Sequence, residues 1–278
     1  MKGRSVWVVG ASSGIGEGMA REFYRRGANV LVSARRQDQL EALTADLAAS
    51  SLGSGKAIAL AFDATDTNGA GGYAQRARET LGGLDIVVLC QGISNRGTVA
   101  ETDLSVERAL FEVNVFSYFA LAKAVLPLFE AQGSGRFVVM SSVQGFFGQA
   151  ERAPYAAAKH ALHGYFESLA AEVSHKNINV NIVCPGYVRT ELSLHALTKD
   201  ATSKNAKMDE ATAAGYDPAY FARKAVDGIA ANKAYVTVAQ TKAVFAIWLK
   251  RYFPSLLRRI MARRGAKQAK LREANSTN

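Results

Sequence analysis

The chain has 278 residues, 49% of them hydrophobic and 21% charged, enough to bury the core of one large α/β domain without metals or disulfides. Its two cysteines, Cys90 and Cys184, leave no disulfide framework or zinc cluster to build on, and place the chain in a reducing, cytoplasmic compartment. The net charge of +10 is concentrated in residues 241–278, with ten Lys/Arg against one Glu, and the nearly neutral remainder lacks the clustered cations and stacking aromatics of a nucleic-acid binder.

The opening MKGRSVWVVG passes directly into a strand pattern without the apolar core of a signal peptide. No 18 consecutive apolar residues occur, so no helical membrane span is expected. Seven short apolar runs follow in order: SVWVVG (5–10), NVLVSA (29–34), AIALAF (57–62), DIVVLC (85–90), RFVVMSS (136–142), INVNIVCPG (178–186) and AYVTV (234–238). Strands this continuously apolar are covered on both faces, and longer helical stretches separate them. The pattern predicts a doubly wound, mostly parallel sheet of about seven strands in a single domain over residues 1–240. The Ala-, Thr-, Lys- and Asp-rich stretch at about 189–215 breaks the alternation and reads as a helical lid.

Between the first two strands, Ile15, Met19 and Phe23 recur every four residues, which marks one face of a helix. The turn before it contains Gly10, Gly14 and Gly16. Gly10 permits the tight turn, and Gly14 and Gly16 let a pyrophosphate approach the helix N-terminus, with the backbone of Ile15 between them. After the second strand, where a carboxylate would hold the ribose of NAD, the chain reads Ser33-Ala34-Arg35-Arg36. A guanidinium there pairs with the 2′-phosphate of NADP(H), so Arg35 is the expected ligand, supported by Ser12, Ser13 and Arg36. Asp63, followed by Ala64, closes the third run and is the candidate for the adenine edge.

Tyr155 and Lys159 lie four apart on one helix face, thirteen residues after Ser142 at the end of the fifth run. A phenol near pKa ~10 is a poor base at neutral pH, and a neighbouring ammonium is expected to lower that value. Tyr155 then exchanges a proton with a substrate oxygen that Ser142 holds in place.

With these motifs in consistent order over roughly 4–240, the chain resembles the short-chain dehydrogenase/reductase family. The likeness rests on GASSGIG at the first turn, Asp63, Asn114 in FEVNVF, Ser142, the Tyr155/Lys159 pair and PGYVRT from Pro185 to Thr190. It implies a Rossmann-like fold, Tyr155 as general acid/base, Lys159 on the nicotinamide ribose and Asn114 in a proton relay. Thr190 is implied to contact the carboxamide, with Pro185, Gly186 and Val188 beside it, and a homodimer or homotetramer is implied as the assembly. The chain departs from the family after the fourth strand. There Leu89-Cys90-Gln91-Gly92 replaces Asn-Asn-Ala-Gly, leaving Gly92 for close cofactor approach and Cys90 as a small packed thiol.

The loop after Ser142 supplies Gln144, Phe146, Phe147 and Gln149 as expected substrate walls. Its apolar character points to a lipid-, steroid- or aromatic-like ketone, aldehyde or alcohol. A catalytically silent NADP(H) sensor or scaffold is the alternative, and no histidine has the spacing of a metal ligand. In the tail, Pro254 divides an apolar and basic stretch into two helices. Two readings of residues 241–264 stand: an amphipathic contact with an anionic membrane, or helices docked on the domain.

Overall fold

The structure, a computed structural model, describes residues 1–50, 53–206 and 208–276; the side chains at 273, 275 and 276 fall outside that description. Its strands are β1 (Ser5–Val9), β2 (Asn29–Ser33), β3 (Ala57–Ala59), β4 (Ile86–Leu89), β5 (Gly135–Met140), β6 (Ile178–Pro185) and β7 (Tyr235–Val238). They form one parallel sheet in the order β3-β2-β1-β4-β5-β6-β7. The edge strand β3 is shorter than its apolar run, although Leu60 and Phe62 still donate to the carbonyls of Val32 and Ala34.

Helices α1 (Gly14–Arg25), α2 (Gln37–Ala49) and α8 (Pro218–Ala230) cover one face. The other is covered by α3 (Ala70–Leu81), α5 (Ser117–Gln132) and α6 (Ala153–Glu172); α4 (Leu104–Phe111) leads into α5. Side chains alternate along β1. Val6 and Val8 pack with Met19, Phe23 and Phe221, while Trp7 and Val9 pack with Tyr118, Phe129 and Phe166. Burying each such side chain contributes about 1.5–3 kcal/mol, which explains why the strands read as unbroken apolar runs.

The continuous helical run Leu104–Gln132 is long and apolar enough to cross a membrane by composition. Here Tyr118, Leu121, Val125 and Phe129 are buried against the sheet, so its apolar character serves the core. Between α4 and α5 lies a π-helical turn, Glu112–Phe116, which carries Asn114.

The expected lid contains only a 3₁₀ turn, Glu191–Ser193, and a four-residue helix, α7 (Glu210–Ala213); the remaining described residues are irregular. Asp200 explains part of this. Its carboxylate accepts bonds from the backbone N–H groups of Thr202 and Ser203 and from both hydroxyls, local bonds that compete with a helix.

Two helices, α9 (Thr241–Tyr252) and α10 (Pro254–Ser276), follow the sheet, divided at Pro254 as the sequence predicts. Leu249 and Leu257 anchor them against Phe147. The strand order reverses between β1 and β4, and at their carboxyl ends the chain leaves a crevice, the usual ligand position in an open α/β sheet.

Candidate active site

Gly10, at the end of β1, has φ +83°, and a Cβ there would lie 2.5 Å from the backbone nitrogen of Gln91. A Cβ on Gly16 would collide with the carbonyl oxygen of Gly10. Strand, turn and helix can meet this closely only without side chains, which leaves the first turn of α1 open to an anion. Gly14, at φ +61°, faces the Thr190 methyl group at 3.1 Å from its Cβ position, so the turn and the PGYVRT segment converge.

Arg36, expected in support, donates to the hydroxyls of Ser12 and Ser13 at 2.8 and 3.1 Å. Arg35 points elsewhere: its side chain is 72% exposed, and its guanidinium lies 4.0 Å from the Asp63 carboxylate. The two arginines thus take different partners, Arg36 on the glycine turn and Arg35 toward the residue that follows the third apolar run. Asp63 also accepts bonds from the Thr65 N–H and hydroxyl, which fixes the turn holding Ala64.

Cys90 packs against the core, and burial pushes its thiol up to about 12, so it is an unreactive packing group. Its neighbour Gln91 donates to the Ser117 hydroxyl at 2.9 Å. Asn114 clamps the next loop, donating to the Ile93 carbonyl at 2.8 Å and accepting the Ile93 N–H at 2.9 Å. A Cβ on Gly92 would lie 3.2 Å from the Asn114 amide oxygen, so this glycine keeps the floor of the crevice open. The π-helical turn re-aims Asn114 toward that loop, a common use of such irregularities.

Ser142, Tyr155 and Lys159 come together as expected. Ser142 follows β5 and caps a 3₁₀ turn, Val143–Gly145, by accepting the Gln144 N–H at 3.1 Å. The Tyr155 phenol lies near enough to the Ser142 hydroxyl for the serine to favour its ionised form. Lys159 lies one turn further along α6 and donates to the Met140 carbonyl at 2.9 Å, its nitrogen 5.3 Å from the Tyr118 ring centroid and 5.7 Å from that of Tyr155.

The expected fall in the phenol pKa is absent. Burial pushes Tyr155 up to about 12 against the lowering influence of Ser142, and burial lowers Lys159 to about 8. The reason is geometric: the ammonium is committed to a backbone carbonyl and makes no hydrogen bond to the phenol, so desolvation dominates both groups. At neutral pH the site holds a neutral phenol, able to give a proton, behind which stands a cation.

A cavity of ≈ 410 Å³ opens in front of Tyr155, the size of a small-molecule site. Gln144, Phe147 and Gln149 line it as expected, with Ile15, Pro185, Gly186, Val188 and Thr190 on the crevice side. Phe146 does not line it. After the 3₁₀ turn this ring falls on the far side of the loop, against His163 and Tyr235 at centroid distances of 4.8 and 5.4 Å.

Sequence reasoning missed Arg96 and Asp209, which lie 113 residues apart. Arg96 and Arg152, each with a side chain only 12% exposed, both pair with Asp209 and both donate to Ser94. It also missed that the tail roofs the cavity through Met261, Arg264 and Gly265. Among the described residues, no group of three His, Cys, Asp or Glu could hold a metal.

The glycine-lined crevice at the carboxyl ends of β1 and β4 adjoins the cavity in front of Tyr155, and comparisons with known proteins place the chain in a family. The short chain dehydrogenase family model matches residues 4–201. A Drosophila melanogaster dehydrogenase/reductase SDR family protein 7-like is 40% identical over 268 residues, 96% of this chain and 82% of that one. A Danio rerio dehydrogenase/reductase SDR family member 7B is 36% identical over 266 residues, 95% of this chain and 86% of its own. Among solved structures, a putative short-chain alcohol dehydrogenase from Sinorhizobium meliloti superposes with TM-score 0.65 at 32% identity, covering 69% of this chain and 75% of its own. A Burkholderia phymatum short chain dehydrogenase/reductase in complex with NAD shares the fold, with TM-score 0.81 at 18% identity over 92% of this chain and 95% of its own. The chain belongs to the short-chain dehydrogenase/reductase family of oxidoreductases.

Proposed function

We propose that the chain interconverts a ketone or aldehyde and an alcohol with NADP(H), Tyr155 serving as the acid/base. The observation that carries this reading is the Ser142–Tyr155 hydroxyl pair, which faces the cavity with the Lys159 ammonium behind it. A carbonyl oxygen bonded by both hydroxyls is held in one orientation, and Tyr155 gives it a proton as the carbon is reduced. When bound, the nicotinamide supplies or accepts the hydride. Lys159 stabilises the phenolate that remains until solvent restores its proton.

The residues fit a dinucleotide: glycines open the crevice at Gly10, Gly16 and Gly92, and no carboxylate stands among residues 34–37 directly after β2. Arg35 and Arg36, with Ser12 and Ser13, favour the 2′-phosphate of NADP(H). For the substrate, Val143, Phe147, Leu192 and Met261 offer an apolar body site. Lys242 and Arg264 also line the cavity, where no acid stands among the lining residues, which favours an anionic end on the substrate; Arg96 and Arg152 line it as well but are paired with Asp209. Among the described residues, the buried Gln144 amide oxygen and Ser193 hydroxyl have no hydrogen-bond partner, which suits them to a polar substituent.

The half-exposed Phe116 beside α5 and the ring of Phe119 stacked on Tyr165 of α6 suit a homodimer or homotetramer built on these helices. The free thiols Cys90 and Cys184 suit a reducing cytoplasm. The test is the initial rate of NADPH and of NADH oxidation against bulky apolar ketones, each with and without a carboxylate or phosphate end. Turnover that prefers NADPH supports the reading, and turnover with NADH alone overturns the cofactor assignment.

A further inference from the structure

The helices that roof the cavity have a second face. Val244, Phe245, Trp248, Tyr252, Phe253 and Leu256 are 46% to 62% exposed. They form one patch: Phe245 stacks on Trp248 at 5.7 Å, and Trp248 meets Tyr252 and Phe253 at 5.5 and 5.3 Å. Val244, Phe245, Trp248 and Tyr252 recur at helical spacing on α9, so this face is a continuous stripe, and Phe253 and Leu256 extend it into α10. The inward residues Ala243, Ala246, Met261 and Gly265 meanwhile wall the cavity.

Charge at the patch has one sign. Lys250 and Arg251 close α9, Arg258 and Arg259 open the second turn of α10, and all four are exposed without an ion pair among the described residues. A second copy of this chain would bring like charges together at such a face, at a cost in repulsion. An anionic lipid surface instead accepts the aromatic rings at the level of its headgroups and pairs the guanidinium groups with phosphates.

We propose that α9 and the first turns of α10 dock this protein on an anionic membrane, placing the cavity roof at the headgroup layer. The inference stands apart from the reductase reading, because it uses none of the residues assigned to proton transfer or dinucleotide binding. The membrane then lies on one face of the two helices and the cavity on the other, with the helices forming the wall between them.

The test uses the full chain and vesicles of phosphatidylcholine, with or without about one-third phosphatidylserine, a content that gives the negative surface potential required. The chain has two tryptophans, of which Trp7 is fully buried and Trp248 half-exposed, so a change in emission on adding vesicles reports Trp248. The expected result is flotation with the anionic vesicles and a blue shift that is lost in Trp248→Phe. Replacing Arg251 and Arg258 by Gln should weaken binding by about fivefold per charge removed. Phe245→Ser/Phe253→Ser should abolish flotation while leaving the circular dichroism spectrum and NADPH binding unchanged, since both rings are exposed.

Failure to float with anionic vesicles overturns the proposal. So does a dimer in sedimentation velocity that Phe245→Ser/Phe253→Ser dissolves, because the patch would then be an interface between copies. Flotation by a chain that reduces no carbonyl would leave the docking surface standing and remove only the reductase reading.

Discussion

The Lys159 ammonium donates to the carbonyl of Met140 at 2.9 Å, two residues before Ser142. This bond ties the end of β5 to α6, and burial there lowers the lysine to about 8. A group whose folded value is depressed in this way loses its charge earlier as pH rises. The dinucleotide kcat/KM is therefore expected to fall above about pH 8. Lys159→Arg keeps the cation at all working pH values, so its descending limb should vanish even though its rate is lower. A limb unchanged in Lys159→Arg would assign it to another group.

A second prediction concerns stability. His163 accepts or donates a bond to Ser141 at 2.8 Å, packs on Phe146, and is pushed down to about 4 by burial. Between its ordinary value near ~6.5 and that depressed value, the unfolded chain takes up a proton that the native one refuses. The contribution is fully present above the ordinary value and is lost as pH falls toward 4, amounting to on the order of 2–3 kcal/mol. Urea midpoints at pH 7 and pH 5 measure it, and in His163→Gln the difference between them should shrink.

Cofactor choice separates the two arginines. Arg35→Ala and Arg36→Ala should each weaken NADPH by about 10- to 100-fold while changing NADH little, since only NADPH presents the phosphate. Equal losses for both nucleotides, measured by fluorescence titration of each variant, would remove the 2′-phosphate assignment. A loss confined to one variant would identify the ligand.

Gly16→Ala tests the crevice. Its methyl group meets the Gly10 carbonyl, a backbone atom that cannot step aside, so a loss of about 1–3 kcal/mol in stability and weakened dinucleotide binding are expected. Thermal melts with and without NADPH read both effects. The stabilisation that NADPH gives the wild type should be largely absent in the variant.

How much of this was legible follows from how each feature is encoded. The seven strands were readable because a strand buried on both faces leaves an unbroken apolar run, and Tyr155 and Lys159 because a helix brings residues four apart onto one side. The glycine turn was readable because it is contiguous. Arg96, Arg152 and Asp209 were not, since their pairing joins the β4 loop, the start of α6 and the stretch before α7, and no local pattern records such a meeting. Phe146 was misplaced because proximity to Ser142 in sequence does not say on which side of a 3₁₀ turn a ring emerges. The Tyr155 pKa was misjudged for a related reason: spacing puts the ammonium nearby but does not reveal that it is already bound to Met140.

The central claim is that the Tyr155 phenol delivers the proton. The most direct measurement is Tyr155→Phe, with NADPH affinity and single-turnover reduction of a ketone followed side by side. The account predicts near-normal NADPH affinity and a fall in turnover of about 10²–10⁴-fold, because one oxygen is removed and the packing of the ring is kept. Turnover within a few-fold of the wild type would contradict it.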